Sequence, residues 1–585
     1  MKSVRERNLE TEERKLEKKI SEEIVKEIDR RKITEQDSLN AVKKEIAKTY
    51  KFKGFLTNIM ILSNLSSEEA EKFKKILLTK PARSQSGVSV IAIMTKPIKC
   101  PHGKCIYCPG GLNSFFGSVP QSYTGREPAT MRAIRANYDS YMQVMNRLEQ
   151  YIITGHVPQK VELIIMGGTF PSFADKYQKE FISYALKAMN DFSKMFFRGK
   201  NKGKNFDFEY FKEFFELPGN VKDRKRTEII QKKLHEKKGK WDLEKEQKRN
   251  ETADIRCVAM CIETRPDYCR EEHISKMLKL GATRVELGVQ TIYNDIHRKI
   301  ERGHFVKDVI EATRLLKDSF LKVGYHIMPG LPGSDFEKDI NIFRELFLNP
   351  DFKPDNLKIY PCMVIKGTKL YKMWKSGNYK PLDAKSAAEI IIQGKQFVPE
   401  YCRIMRIQRD IPTKFTEAGV EMTNLRQYVD NLMKERILKC RCIRCREPKD
   451  KEIDYESIKI VKRKYEASNG TEVFISAEDV KNDILLGFCR LRIPYNPFRK
   501  EILPCSAGIR ELHVYGRALP IDKKNENYGS AQHRGFGKKL LSEAERIAQE
   551  EFGCKNIYVI SGIGVREYYK RLGYERKGVY MFKRI

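Results

Sequence analysis

Apolar positions in the first fifty residues recur at about four-residue spacing. Leu9, Leu16, Ile20, Ile24 and Ile28 form one stripe in a run where Lys and Arg alternate with Glu. That spacing predicts a helix, read as a solvated one tied by i,i+4 ion pairs. From about Gly87 the rhythm changes. Short apolar runs (Val88–Met94, Val161–Met166, Arg256–Ile262, Arg284–Gly288, Lys322–Ile327, Leu357–Pro361) alternate with amphipathic, helix-length segments. Six such runs predict βα units with parallel strands, short of the eight of a closed barrel. The expectation is α/β, an incomplete (β/α)6 barrel. Residues 391–450 read as mostly helical. A different unit starts near Ile458, with strands at Ile458–Tyr465, Glu472–Ile475, Ile484–Leu491 and Glu511–Val514, then a long helix, a strand and a helix. It is an α+β domain of common size.

Residues 194–250 interrupt the βα rhythm with 18 Lys/Arg against 10 Asp/Glu. They read as an inserted, mostly helical basic segment, or equally as a solvated linker. The expected organisation is a basic helical region over 1–80, a barrel domain over 81–390 carrying that insertion, a helical linker over 391–455, and a final domain over 456–585.

Composition sharpens the picture. With 112 Lys+Arg against 78 Asp+Glu, the formal charge is +34 over 585 residues. Such an excess favours a polyanionic partner. Residues 51–104 carry ten Lys/Arg and three Asp/Glu, which reads as part of an anion-binding surface. No apolar run of membrane-spanning length occurs, and the N-terminus has no secretory h-region. A cytoplasmic protein with no membrane association is expected, so its 14 cysteines need metals, catalysis or burial as their reason.

Two cysteine clusters stand out. Cys100, Cys105 and Cys108 follow the first β-run on a Gly/Pro-rich stretch. A loop can bend three thiolates to one point, and soft sulfur selects an iron–sulfur cluster or zinc. Zinc would want a fourth ligand, which His102 could supply. The second cluster, Cys440, Cys442 and Cys445, is flanked by Arg441, Arg444 and Arg446, expected to lower the thiol pKa values. Its tight spacing suits a metal knuckle, with Cys362, Cys402 or a distant His as candidate fourth ligand. Cys257 and Cys261 at i,i+4 in an apolar strand, and the isolated Cys489, Cys505 and Cys554, read as core.

The stretch Cys100–Gly111, with Gln121–Tyr138, Val161–Phe170, Ile262–Cys269, Glu286–Gln290 and Gly324–Gly333, resembles the radical S-adenosylmethionine (SAM) domain of the Elongator catalytic subunit family. The match runs from about residue 80 to the C-terminus. It implies that Cys100, Cys105 and Cys108 hold a 4Fe-4S cluster. The open iron would bind SAM, and an external electron donor would drive cleavage to a deoxyadenosyl radical. Gly167 and Gly168 fit the glycine pair of such domains, although Thr169 replaces the usual acidic residue after it. Glu263, Arg265, Gln290, His326 and Met328 sit at strand ends, where barrel enzymes place ligands. Arg265 is the foremost candidate, as a partner for a carboxylate. A rim hydrogen bond is the plainer reading of each. The resemblance also implies zinc at Cys440, Cys442 and Cys445.

Gln532-His-Arg-Gly535-Phe-Gly537 matches the Q/R-x-x-G-x-G/A signature of GNAT-type acetyltransferases. It opens a helix with one apolar face, and N–H groups at a helix N-terminus suit a pyrophosphate. Glu511, Leu512, His513 and Val514 precede it as a strand able to pair with pantetheine. By the resemblance, acetyl-CoA contacts that strand, Phe536–Lys538 and Tyr569, and Lys160 touches it from the barrel. Tyr569, or its neighbour Tyr568, would serve the departing CoA sulfur; packing is the plainer reading of either.

Together these imply modification of a tRNA wobble uridine at C5, with acetyl-CoA donating a carboxymethyl carbon skeleton. The anticodon stem-loop would be the partner, and accessory subunits are left open. A protein lysine acetyltransferase with a structural Fe–S domain is the alternative, and an RNA-binding scaffold a third reading. The +34 charge suits RNA better than basic histone-like tails.

Overall fold

The computed structural model describes residues 4–52, 56–79, 87–199, 205–219, 223–449, 451–516 and 535–585. Four helices open the chain: α1 (Val4–Arg30), α2 (Gln36–Thr49), α3 (Asn58–Asn64) and α4 (Ser67–Leu77). The expectation of a merely solvated helix is corrected here. Ile20, Ile24 and Ile28 of α1 are buried against Leu39, Val42, Ile46, Ile61 and Leu77, a core of their own. Charges cover the outer faces, where Arg31 bonds Glu27 one turn back and Glu45 on α2.

The next sheet contains β1 (Ser89–Met94), β2 (Lys160–Met166), β3 (Arg256–Thr264), β4 (Arg284–Gln290), β5 (Lys322–Ile327), β6 (Asn356–Ile359) and β7 (Arg403–Ile407). They lie in sequence order and every pairing is parallel. All six expected strands are present. The seventh, β7, falls in the segment expected to be helical. Arg403 and Arg406 break its apolar run, and only pairing with β6 makes it a strand.

The strand period of two divides the labour of the sheet. Val161, Leu163 and Ile165 of β2 are buried beneath the helices Ser140–Ile153 and Asp175–Phe196, in the main core. Lys160, Glu162, Ile164 and Met166 alternate with them and line a large cavity on the other face. The basic insertion supplies helices at Phe208–Phe214, Arg224–Lys238 and Leu243–Asn250. It is no solvated linker. Phe211, Phe214, Phe215, Ile230 and Leu234 join the main core, and Arg226 pairs with the buried Glu149 at 2.5 Å.

The second sheet contains β8 (Ile458–Ala467), β9 (Gly470–Asp479), β10 (Ile484–Ile493), β11 (Ser506–Val514), β12 (Asn556–Val559), β13 (Glu575–Lys577) and β14 (Tyr580–Arg584). Its order is β8-β9-β10-β11-β12-β14-β13. Only β11 and β12 run parallel, and their pairing stops at Ile509–Val559. Beyond that point Glu511–Val514 keep their β10 partners, and the side towards β12 opens. Helix α5 (Phe536–Glu550) lays Leu540, Leu541, Ala544, Ile547 and Ala548 on this sheet. Cys505, expected in the core, is exposed at the turn before β11 with φ 52°.

The two sheets are joined by buried charge. From the barrel come Lys317, Asp318 and Asp355, all 0% exposed; from the second sheet come Glu472, Arg490, Arg492 and Arg510, at most 1% exposed. Arg492 bonds Asp318 at 2.6 Å. Arg510 bonds Asp355 and reaches Glu472 at 2.9 Å. Lys322 and Arg490 both bond Glu511 at 2.9 Å. Absent side chains let backbones meet there. A Cβ on Gly562 would lie 2.0 Å from the Val258 carbonyl, and one on Gly508 2.1 Å from the Phe320 ring.

Arg510→Met should therefore cost about 3–5 kcal/mol, because it strands two buried carboxylates. A chemical-denaturation midpoint equal to the native one would show that this network does not hold the domains. Acid should loosen the same joint. Burial raises the Glu511 pKa, but Lys322 and Arg490 outweigh it and hold it at about 2. A depressed folded pKa stabilises above the unfolded value near 4.5. That contribution is lost as pH falls from about 4.5 towards 2. Glu511→Gln should flatten the acid limb of the stability curve.

Candidate active site between the two sheets

A single cavity of about 2330 Å³ runs between the cysteine loop of the barrel and the N-terminus of α5. Its walls include Cys100, Cys105, Cys108, Gly168, Glu263, Arg265, Gln290 and His326 at one end. Leu512, Val514, Gly535–Lys538, Tyr568 and Tyr569 stand at the other.

The three cysteines are buried at 5–6% exposure. Ser122 donates its backbone N–H to Cys108 Sγ at 3.2 Å, and the Arg302 guanidinium lies 3.6 Å from Cys105 Sγ. Thr169 Oγ1 is 3.4 Å from Cys100 Sγ. Burial pushes the Cys100 and Cys108 thiols up, so a metal must supply the charge that makes them thiolates. The His102 ring sits between two of the sulfurs, Nδ1 3.2 Å from Cys100 and Nε2 3.1 Å from Cys105. Burial, then Arg265 and Arg302, lower its pKa to about 3, so it stays neutral. Three soft donors on one buried loop, backed by N–H groups and a guanidinium, fit an iron–sulfur cluster.

The glycine pair divides its roles. Gly167 has φ 116°, and a Cβ there would strike Thr95 Oγ1 at 2.3 Å; Gly168 has φ 86° and only open space around its missing Cβ. Gln290 is buried at the end of β4 with φ 73°, a strained conformation of the kind that clusters at functional sites. Glu263, Glu286 and His326 bring their ligand atoms within 4.8 Å of one another. Lys358 bonds both carboxylates, His326 Nε2 lies 2.8 Å from Glu286, and Tyr123 donates to Glu263 at 3.2 Å. Arg265 is engaged within the chain. Its fork bonds Asp267 at 2.9 and 2.7 Å, and another N–H bonds the Arg302 carbonyl.

At the far end, Gly535 caps α5 with φ 82°, and Lys539 makes the first helical bond back to it. The N–H groups of Phe536, Gly537 and Lys538 thus precede the ladder. The Tyr568 hydroxyl sits 3.2 Å from where a Gly537 Cβ would stand. Tyr569 packs with Tyr574 in the core of this domain, and burial raises both Tyr568 and Tyr569 phenols. Lys160 faces the cavity from the barrel, its pKa lowered by burial and then by Arg256. Gln532 lies outside the described residues. His513 and Glu511 also line the cavity, although Glu511 is held by Lys322 and Arg490.

The sulfurs of Cys440, Cys442 and Cys445 lie within 4.8 Å of one another. The flanking arginines make their hydrogen bonds and ion pairs elsewhere. Arg446 pairs with Glu478 and Asp483, Arg441 with Glu400 and Asp483, and Arg444 bonds the Met405 carbonyl. The Cys442 thiol is lowered by the S–H groups of Cys440 and Cys445, and it attracts the Arg444 guanidinium. Among the described residues no fourth His, Cys, Asp or Glu joins the group. Cys402 is buried beside it, its carbonyl bonded to the Ile443 N–H. Cys362 lies elsewhere, in the apolar cluster of Cys105 and Cys108.

Arg302, Glu286, Lys358 and Tyr123 were not singled out from sequence as site residues. Glu286 and Lys358 left one trace there, a charge inside an apolar parallel strand. Arg302 left none.

Fold and site together define a radical SAM domain, with its curled parallel half-barrel, joined to a GNAT domain. Family models match the radical SAM superfamily over residues 97–346, its C-terminal domain over 354–435 and the GNAT acetyltransferase family over 439–574. A fourth, the ELP3 N-terminal domain, matches 17–85. The chain belongs to the Elongator complex protein 3 family. It is 50% identical to the tRNA uridine(34) acetyltransferase of Methanocaldococcus jannaschii, over 98% of both chains. It is 41% identical to Elongator complex protein 3 of Schizosaccharomyces pombe, over 93% of this chain and 94% of that one. The solved archaeal Methanocaldococcus infernus Elp3 with an N-terminal deletion superposes with TM-score 0.68 at 46% identity, covering 86% of this chain and 100% of that one. The radical SAM domain implies a 4Fe-4S cluster and SAM, and the GNAT domain implies acetyl-CoA.

Anaerobic reconstitution should give about four irons per chain, lost in the Cys100/Cys105/Cys108→Ala triple variant. Iron retained by that variant would place the cluster elsewhere.

Proposed function

We propose that this chain modifies the wobble uridine of tRNA at C5, taking a two-carbon unit from acetyl-CoA and leaving a carboxymethyl group. The observation that carries the reading is the shared cavity, which puts a cysteine loop and a pyrophosphate-type helix terminus on one space. The relatives named tRNA uridine(34) acetyltransferase support the substrate. So do the cavity-lining Arg132, Arg147, Arg256, Arg406, Arg409 and Arg444, suited to phosphate. A tRNA substrate fits a cytoplasmic location. Among the described residues no helix is long and apolar enough to cross a membrane.

Cys100, Cys105 and Cys108 would hold the cluster, which with SAM and an external electron donor supplies a one-electron route to a carbon radical. Gly168 leaves backbone open towards SAM. Gln290, Glu263, His326 and Arg265 are its proposed side-chain contacts, with Gly167 holding the turn. Arg265 acts with its remaining N–H groups, since Asp267 and the Arg302 carbonyl take three. Glu511–Val514 present strand backbone to pantetheine, and Phe536–Lys538 direct N–H groups at the pyrophosphate. Gln532 would stand just before them. Tyr569 is the proposed proton donor to the CoA sulfur. Tyr568 lies nearer Gly537 and shares that role or fixes the pyrophosphate. Burial keeps both phenols protonated at neutral pH, as a donor must be. Lys160 approaches acetyl-CoA from the barrel side. Cys440, Cys442 and Cys445 are proposed to bind zinc, as thiolates in a knuckle do.

Nucleoside mass spectrometry of tRNA incubated with reconstituted protein, SAM, reductant and acetyl-CoA should show the carboxymethylated uridine. Acetylated protein with unmodified tRNA would support a lysine acetyltransferase instead. Tyr569→Phe should keep iron and tRNA affinity and lose about a hundredfold of tRNA-stimulated CoA release. Full release in that variant would reduce Tyr569 to packing. Gly535→Glu should also abolish release, since it adds strain at φ 82° and a carboxylate where phosphate binds. Native protein should carry about one zinc and Cys442→Ser none.

A further inference from the structure

The strands Gly111–Ser114 and Gly117–Val119 form a hairpin directly after the cysteine loop. Its tip carries exposed apolar surface: Leu112 is 53% and Phe115 59% exposed. Phe115 meets Phe116 edge to face at 5.2 Å, and Phe116 meets Phe415 at 6.3 Å. Cations lie over two of the three rings. Lys366 lies 5.6 Å from the Phe115 centroid, and Arg126 and Lys414 lie 5.6 and 5.2 Å from that of Phe415. Ile134 on the helix Pro128–Arg135, 46% exposed, lies against Gly125 near the hairpin's Val119.

This face is built and held. Gly367 has φ 80°, and a Cβ there would fall 2.3 Å from Phe115 Cβ, so the hairpin sits down on that loop. Arg409, which lines the cavity, bonds the Ser122 carbonyl just beyond the hairpin. Gln121 and Ser122, which follow the hairpin, line the cavity on the cysteine side, so the hairpin's base joins the aromatic tip to that wall. Protein-binding hot spots are depleted of Lys at their centre. Rings interleaved with Lys and Arg match the other pattern, in which bases stack and cations meet the adjoining phosphates.

We infer that Phe115, Phe116 and Phe415, with Arg126, Lys366 and Lys414, form a stacking platform for unpaired RNA bases flanking the nucleotide that enters the cavity. The inference rests on the RNA reading above and adds a subsite to it. The platform takes single-stranded loop bases and gives a paired duplex no purchase, because stacked bases hide their faces.

The test uses full-length protein and an RNA stem-loop with 2-aminopurine beside the target uridine, against a duplex of equal length. Native protein should change the 2-aminopurine emission. Phe115→Ala and Phe415→Ala should each weaken stem-loop binding about tenfold, leave duplex binding unchanged and abolish the emission change. Phe115→Tyr should restore both, and the remote, 60% exposed Leu348 should tolerate Leu348→Ser without effect. Unchanged stem-loop affinity and emission in the two Ala variants would overturn the platform and leave the RNA reading standing. Equal weakening for duplex and stem-loop would overturn it too, showing a contact that does not read bases. No RNA binding by the native protein would overturn the RNA reading and the platform with it.

Discussion

Asp318 and Asp355 sit in the barrel without access to water, and the arginines that answer them, Arg492 and Arg510, come from the other sheet. A carboxylate buried this way stays charged only if a cation arrives in good geometry. Burial raises the Asp355 pKa, and Arg510, Lys317 and Arg490 more than reverse it. Such a network adds little stability over an apolar contact of equal size, but it penalises every misaligned docking. It therefore sets one orientation of the GNAT sheet on the half-barrel, with the Gly562–Val258 and Gly508–Phe320 contacts closing the rest.

The cavity follows from that orientation. Parallel strands usually bury both faces. Here one face of β1 and β2 packs under helices, and the other, with Val90, Ala92, Lys160 and Glu162, is left to the enclosed space. The GNAT domain acts as its roof. The cysteine loop and the N-terminus of α5 thereby open on one and the same space. The open half of β11, where β12 has diverged, lines the same space.

The two cysteine clusters show how surroundings divide one chemistry. Around Cys105 and Cys108, Arg302 and a backbone N–H favour thiolate charge, and the loop opens on the cavity. Around Cys440 and Cys445 the compensation is the buried ammonium of Lys395, itself bonded to Asp430 at 2.7 Å. The first arrangement leaves room for a reacting ligand; the second sits among helix and strand ends at the domain joint.

Local pattern was enough for the six barrel strands, α5 and the gathering of Cys440, Cys442 and Cys445. Each is written in a period or a spacing that neighbours in sequence enforce, as in the alternation of Val161, Leu163 and Ile165 or the run from Leu540 to Ala548. The Elongator-type motifs carried the family reading for the same reason. What escaped lies between distant segments. Strand β7 exists because β6 pairs with Arg403–Ile407, and the first helix is buried because α2 and α3 cover Ile20 and Ile24. Arg302 meets Cys105 across 197 residues, and Lys358 meets Glu263 across 95. Arg441, Arg444 and Arg446 flank thiols in sequence yet bond carboxylates and a carbonyl in space. Charge acts through distance in the folded chain, so only the tertiary structure decided which ion faces which site.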